Sequence, residues 1–131
     1  MRDPPARGDA GAVRRFHRII PAPTPTRVDF FSDRARGLLP PRNPDKVRYW
    51  EGVSVFATLA QARAVIATRK ARASARGIAW PVECVAEVTI ARDGPITYEE
   101  WGRNAGHHTL WGDPDRLLAA VTGIFAGTDK G

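Results

Sequence analysis

The sequence lacks the features that mark secreted and membrane-spanning proteins. Its 131 residues include one cysteine, which excludes an internal disulfide. No apolar run approaches the roughly 18–20 residues needed to cross a bilayer. Residues 1–11 contain no hydrophobic segment of the kind that forms a secretory signal. These absences predict a cytoplasmic protein that does not contact a membrane, although export without a cleaved signal would leave the same sequence.

Signatures of nucleotide and metal sites are also scarce. Neither G-x-G-x-x-G nor G-x-x-x-x-G-K-[ST] occurs, so nothing predicts a Rossmann or P-loop domain. The adjacent His107 and His108 do not have the i, i+4 spacing of a helical zinc site, and only His17 and Cys84 remain as soft ligands. We therefore expect no metal. Cys84 lies on the apolar side of an alternating segment, which predicts a buried, unreactive thiol.

What the chain does have is positive charge concentrated in its first half. The formal net charge is +6, yet residues 1–76 hold 16 Lys and Arg against 6 Asp and Glu, whereas residues 77–131 hold 4 against 8. Such asymmetry indicates an anionic partner on one side of the molecule. Arginine far outnumbers lysine, and the Ala, Gly and Pro content is typical of a GC-rich genome, which raises arginine without any ligand. Both explanations stay open.

The first half of the chain predicts few regular elements. Residues 1–13 have no apolar periodicity and are expected to be disordered, with a single domain over residues 14–131. Residues 14–20 read as the first strand, and a short helix is expected from residue 26 or 27 to residue 36. Residues 46–57 are expected to form one bent strand. Three apolar side chains of the short helix region are expected in the core: Val28, Phe30 and Phe31.

One long helix is predicted most clearly. Thr58, with Gln61 three residues later, has the pattern of a capping box, in which the two side chains satisfy each other's backbone donors. Apolar residues then recur at helical spacing as far as about Ala75, and Gly77 is a typical stop. We therefore expect a helix that begins after Thr58 and ends near residue 75.

The second half of the chain predicts mostly strands. Residues 82–90 alternate between apolar and polar side chains, as in a half-buried antiparallel strand. Asp93-Gly94 should turn the chain into a shorter strand at residues 96–98. Asp113 is a typical N-cap for a last helix, after which residues 122–125 have strand character. The whole pattern predicts an α+β fold: a small mixed, largely antiparallel sheet of about five short strands with about three helices.

The junction between a short apolar strand and the long helix is the most informative part of the sequence. Ser54 lies on the strand and Thr58 at the helix start, where unpaired backbone N–H groups and the helix dipole favour anions. An arginine-bearing strand precedes this junction at Arg18, and the carboxylate pair Glu99 and Glu100 follows it. Together they suggest a nucleotide site.

The same order of residues resembles ADP-ribosyltransferases of the arginine-serine-glutamate type. These enzymes keep an arginine on their first strand, a serine on a strand that runs into a helix, and a catalytic glutamate later. The resemblance covers about residues 14–101. It implies that Arg18, Ser54 and Thr58 bind NAD and that Glu100 stabilises the oxocarbenium-like transition state. It further implies transfer of ADP-ribose from NAD to an unknown acceptor, as in a delivered, toxin-like enzyme.

Two features differ from the family's pattern. The usual Ser-Thr-Ser is absent around Ser54, and adjacent glutamates stand in place of Glu-x-Glu or Gln-x-Glu. Because neighbouring residues on a strand point to opposite faces, Glu99 and Glu100 cannot both line one pocket. We expect Glu100 to face the site and Glu99 to face away.

A non-enzymatic interpretation rests on the helix over residues 59–76. Its polar positions are basic throughout: Arg63, Arg69, Lys70, Arg72 and Arg76. Cations late in a helix complement its dipole, so a solvated face explains part of this pattern. The alternative is a protein- or nucleic-acid-interaction module in which this surface binds an acidic protein or nucleic acid.

A third interpretation is an enzyme centred on histidine. The Trp101–Trp111 loop is rich in glycine, and His107 or His108 would act there as acid, base or ligand, because imidazole titrates near neutrality. His17 is the remaining histidine that would join them. The structural alternative is a loop held to the core by its tryptophans, with one histidine hydrogen-bonded beneath it.

Overall fold

The computed structural model describes residues 13–100 and 106–128. The strands are β1 (Val13–Ile20), β2 (Val53–Phe56), β3 (Cys84–Ala91), β4 (Thr97–Glu100), β5 (His107–Trp111) and β6 (Val121–Ala126). The helices are α1 (Val47–Trp50), α2 (Leu59–Ala75) and α3 (Pro114–Ala119), with 3-10 turns at Arg27–Phe30 and Pro44–Lys46.

The strands form one sheet in the order β4-β5-β2-β1-β3-β6, in which every neighbouring pair is antiparallel. This arrangement confirms the predicted α+β class, with six strands where about five were expected. β1 pairs with β3 along its whole length, whereas its register with β2 is confined, in the described residues, to the pair His17–Phe56. The sheet is therefore weakly joined at its centre, and this is where the candidate site lies.

Both faces of the sheet are covered. One face carries the larger core, which includes the fully buried Phe16, Val55 and Leu110. On the other face α2 packs Ala62 and Ile66 against Val85. Because α2 covers this side, β3 is buried on both faces near its start rather than being half-buried as the alternation predicted. Val82, the first apolar residue of the predicted alternation, is 84% exposed because β3 begins only at Cys84.

The helix predicted over residues 26–36 does not form. The segment makes one 3-10 turn, in which the Phe31 N–H donates to the Val28 carbonyl. The backbone is extended at Phe31, and a separate hydrogen-bonded turn follows over residues 33–37. That extended residue stops the helix. Phe30 is buried as expected, but Val28 is 51% exposed and Phe31 is half-buried.

The prediction of one bent strand over residues 46–57 is also wrong for the first half of that segment. The Asn43 side chain accepts a hydrogen bond from the Asp45 N–H at 2.9 Å, and Pro44 occupies the first helical position. Both features start a helix. The chain therefore passes through a 3-10 turn and α1 before β2 begins at Val53.

The predictions for α2 are confirmed. The Gln61 N–H donates to Thr58 Oγ1, and the Thr58 N–H donates to Gln61 Oε1, both at 3.1 Å. The helix ends at Ala75, and Gly77 follows with a left-handed φ of 73°. Among residues 13–100 and 106–128, no helix is both long and apolar enough to cross a membrane.

The strand at residues 96–98 forms as β4, but β4 pairs with β5 and not with β3. The turn at Asp93-Gly94 therefore leads to the far edge of the sheet and does not close a hairpin. Residues 107–111, predicted as loop, form strand β5. The last helix begins at Pro114 after the Asp113 cap, and β6 follows it, so the strand character of residues 122–125 is confirmed.

Two further predictions concern residues that the structure does not describe. Of residues 1–13, which were expected to be disordered, residues 1–12 lie outside the described residues, whereas Val13 belongs to β1. Trp101 and residues 102–105 of the predicted loop lie outside them as well.

Candidate functional site

Arg18 lies where β1 and β2 separate. Its Nε donates to the Asp29 carbonyl at 3.0 Å and its Nη1 donates to the Ser54 carbonyl at 2.8 Å. The guanidinium therefore ties β1 to the 3-10 turn and to β2. Burial, the largest cause, and the positive charge of Arg36 together lower the pKa of Arg18 to about 10. At neutral pH Arg18 still carries its charge.

A cleft of about 120 Å³ opens beside this guanidinium, and we name it the Arg18 cleft. Its walls are Arg18, Phe31, Asp33, Tyr49, Gly52, Val53, Ser54, His107 and Thr109. The cleft thus brings together residues of β1, β2 and β5 with one residue of α1. Gly52 permits this approach, because a Cβ at that position would lie 2.3 Å from Thr109 Cγ2.

Ser54 and His107 form a hydrogen-bonded pair in the cleft. The distance between Ser54 Oγ and His107 Nε2 is 2.5 Å. Burial lowers the pKa of His107, and the neighbouring His108 lowers it further. A neutral imidazole within hydrogen-bond distance of a hydroxyl is able to take up a proton from it, which is the chemistry of a general base.

Glu99 shares the face of the sheet that carries Ser54. In the register, Ser54 is opposite Thr109 on β5, and Thr109 is opposite Glu99 on β4. Directly opposed residues on neighbouring strands point to the same face. Two strand spacings separate Ser54 from Glu99, or about 10 Å between their backbones.

The Glu99 carboxylate is held by two side chains of α1. Tyr49 OH donates to Glu99 Oε1 at 2.9 Å, and Arg48 Nη2 donates to Glu99 Oε2 at 2.6 Å. The hydrogen bonds from Tyr49 and Arg48 lower the pKa of Glu99, while the bond to Glu99 raises the pKa of Tyr49. Glu99 is therefore ionised at neutral pH. Since Tyr49 also lines the Arg18 cleft, it connects this carboxylate to the site.

Glu100, the glutamate expected in the site, lies on the opposite face. Its register partner is His108, which in turn is opposite Val55 of the larger core. One Glu100 oxygen accepts a 3.4 Å hydrogen bond from the Gly106 N–H. The faces of the pair are thus reversed from the prediction, because the pairing of β4 with β5 places Glu99 beside Thr109. A catalytic role for Glu100 stays a prediction, but the geometry favours Glu99.

The three histidines do not share a pocket. His107 lines the Arg18 cleft, whereas His108 is buried, with Nδ1 3.0 Å from the Gly106 carbonyl and its ring against Phe16. His17 is separated from His107 in the register by Phe56, and its Nε2 lies 3.7 Å from Glu87 Oε2. The arrangement required by the histidine-centred interpretation is therefore absent, although His107 itself is well placed.

Thr58, expected to bind the cofactor, does not line the Arg18 cleft. Its hydroxyl accepts the Gln61 N–H and caps α2. Within the described ranges, no group of three or more His, Cys, Asp and Glu side chains is placed to hold a metal ion.

The basic surface of α2 is partly engaged with the rest of the protein. Arg69 Nη1 lies 3.3 Å from Glu83 Oε2, and Arg63 Nε donates to the Ala126 carbonyl at 3.0 Å. These contacts dock α2 onto the segment before β3 and onto β6. Part of its charge therefore has a structural use that requires no partner molecule.

Tyr49 was not predicted as a site residue, although it reaches both the cleft and Glu99. The signal lay in Asn43 and Pro44, whose capping pattern indicates a helix start. A helix places Tyr49 beside the start of β2, whereas the predicted strand would have carried it along the sheet.

Comparison of the chain with protein-family models, with curated proteins and with solved structures gives no match. The resemblance to ADP-ribosyltransferases therefore rests on the order of the arginine, serine and glutamate residues along the sequence alone.

The lowered pKa of His107 predicts a pH-dependent stability. Below the ordinary histidine pKa of 6.5, the unfolded chain binds a proton at this position more readily than the folded protein does. The free energy of unfolding should therefore fall as the pH is lowered below 6.5. Urea unfolding at pH 7.5 and 5.5 measures this, and His107→Gln should reduce the difference. If the variant shows the same difference in the free energy of unfolding between the two pH values, other titrating groups cause the pH dependence.

Proposed function

We propose that the Arg18 cleft binds NAD and that the protein transfers ADP-ribose from NAD to an acceptor. Arg18 and Ser54 would hold the dinucleotide, and Glu99 would be the catalytic carboxylate. The observation that carries the proposal is convergence: Arg18 and Ser54 line one cleft, and Tyr49 of the same cleft holds an ionised glutamate.

The chemistry requires a fixed negative charge near the ribose. When the bond between C1′ and the nicotinamide nitrogen breaks, its electron pair leaves with nicotinamide and positive charge develops on the ribose. A carboxylate held in place stabilises that charge without reorganising during the reaction. Glu99 meets this requirement because Tyr49 and Arg48 orient it and keep it ionised.

Arg18 would act at an earlier stage than Glu99, because it binds the substrate before the reaction begins. A guanidinium already oriented by two backbone carbonyls loses little freedom when it binds a phosphate. The Ser54–His107 pair lies beside it and offers a hydroxyl and an imidazole to the polar groups of the substrate. His107 would take the proton that an acceptor hydroxyl releases as the new bond to C1′ forms.

Calorimetry with NAD followed by a nicotinamide-release assay tests the proposal. Saturable binding of NAD and release of nicotinamide above the rate in buffer are expected. Binding without release would leave a nucleotide-binding domain that has no activity. Absence of NAD binding would refute the proposal, and salt-dependent binding of a polyanion in its place would favour the interaction module on residues 59–76.

A further inference from the structure

A second cavity adjoins the Arg18 cleft on the side facing α2. It measures about 440 Å³ and shares Arg18, Asp33 and Ser54 with the cleft. We name it the arginine cavity, because Arg36 and Arg69 complete its charged wall. Three guanidinium groups from three separate parts of the chain therefore border one space.

Two of these arginines are oriented by the backbone. Arg18 donates to the carbonyls of Asp29 and Ser54, and Arg36 donates to those of Phe31 at 3.3 Å and Val28 at 3.1 Å. In the part of the chain that the structure describes, neither forms an ion pair with a carboxylate. Their positive charges are thus held in place, and that of Arg18 is offset in part by the nearby carboxylates of Asp29 and Asp33.

The third arginine, Arg69, comes from α2 and pairs with Glu83. Glu83 also accepts a 2.8 Å hydrogen bond from the Trp80 indole and lines the cavity together with Asp33. Three cations therefore face two carboxylates, one of which is already paired. The balance is positive and favours an anion.

The sizes of the two spaces indicate how they would be used. Small-molecule sites commonly measure about 300–1,000 Å³. The volume of the Arg18 cleft is below this range, whereas that of the arginine cavity lies within it. A ligand larger than a single ring extends beyond the cleft, and the adjoining arginine cavity has room for the part that extends. The part that enters the cavity meets guanidinium groups, which bind phosphate oxygens in two-pronged fashion.

We propose that the arginine cavity is a phosphate subsite for a substrate of the Arg18 cleft, with Arg36 and Arg69 as its binding residues. The phosphate is either part of the dinucleotide or part of the acceptor. Only the identity of the dinucleotide rests on the proposed function, since the arginines would bind a phosphate in any substrate of the cleft.

Titration of inorganic pyrophosphate into the 131-residue chain tests the subsite directly. Saturable binding is expected, with an affinity that falls about tenfold or more in Arg36→Gln and in Arg69→Gln, because each removes a charged hydrogen-bond donor. Asp33→Asn should strengthen binding, since it removes a negative charge from the wall. Arg76→Gln is the control. Arg76 lies at the end of α2 and lines neither space, so the loss of its charge should leave the affinity unchanged.

Repeating the titration in the presence of NAD identifies the source of the phosphate. Competition assigns the subsite to the dinucleotide, and binding alongside NAD assigns it to the acceptor. If NAD does not bind at all, pyrophosphate binding with the same variant pattern still supports the subsite while the proposed function fails. Circular dichroism verifies that the variants fold. If Arg36→Gln does not fold, the affinity of Arg69→Gln decides whether the subsite exists.

The inference is overturned if pyrophosphate does not bind. It is also overturned if Arg76→Gln weakens binding as much as the substitutions in the cavity. That second result would show a diffuse attraction to the basic half of the chain and no defined subsite.

Discussion

Glu99→Gln is expected to lower nicotinamide release by about 10²–10³-fold, the usual effect of removing one electrostatic contact to a transition state. NAD affinity should stay nearly the same. The carboxylate's charge matters chiefly when the ribose becomes cationic, so its loss raises the transition state more than the bound ground state. Calorimetry gives the affinity, and a single-turnover assay of nicotinamide release gives the rate.

Glu100→Gln is the matched control, since it makes the same chemical change one residue away. Glu100 lies on the other face of β4, opposite His108, and its loss should have little effect on the rate. An inactive Glu100 variant beside an active Glu99 variant would restore the assignment expected from the sequence. If neither substitution changes the rate, the carboxylate is not catalytic, and His107 becomes the next residue to test.

Arg18→Ala is expected to weaken NAD binding by about 10–100-fold, because it removes a charged donor that acts on the bound substrate. It should also destabilise the fold by about 1–3 kcal/mol, because the Asp29 and Ser54 carbonyls lose the donor that connects them. Urea unfolding measures the second effect, and calorimetry on the folded variant measures the first.

Arg18→Lys separates the two roles of this residue. It keeps the charge but cannot reach two carbonyls and a phosphate with one planar group, so we expect intermediate binding and a smaller loss of stability. Loss of stability in Arg18→Ala without any loss of NAD affinity would make Arg18 a purely structural link between β1 and its neighbours.

The elements that the sequence predicts best are those specified by a few neighbouring residues. The Thr58 and Gln61 side chains cap α2 through contacts three residues apart, and Gly77 ends it through its own backbone conformation. The alternation over residues 82–90 likewise located β3. Such local signals do not depend on the rest of the fold.

Strand β5 is predicted wrongly because its neighbours lie far along the chain. Residues 107–111 look like loop because glycines precede them, yet they become a strand by pairing with β2 and β4. Strand propensity is strongly dependent on context, so pairing partners decide such a segment. Tyr49 is a different case, because the local Asn43 cap, which the strand predicted over residues 46–57 does not take into account, places it on α1, from which it reaches Glu99.

The sequence by itself determined the α+β class, the start and end of α2, and the order of the arginine, the serine and the glutamate pair along the chain. The tertiary structure alone decided that Arg18, Ser54 and His107 meet in one cleft and that Glu99 shares the face of the sheet that carries Ser54 and His107. The physical reason is register. A shift of one residue between β4 and β5 would exchange Glu99 and Glu100 between the two faces, and no local pattern specifies that register.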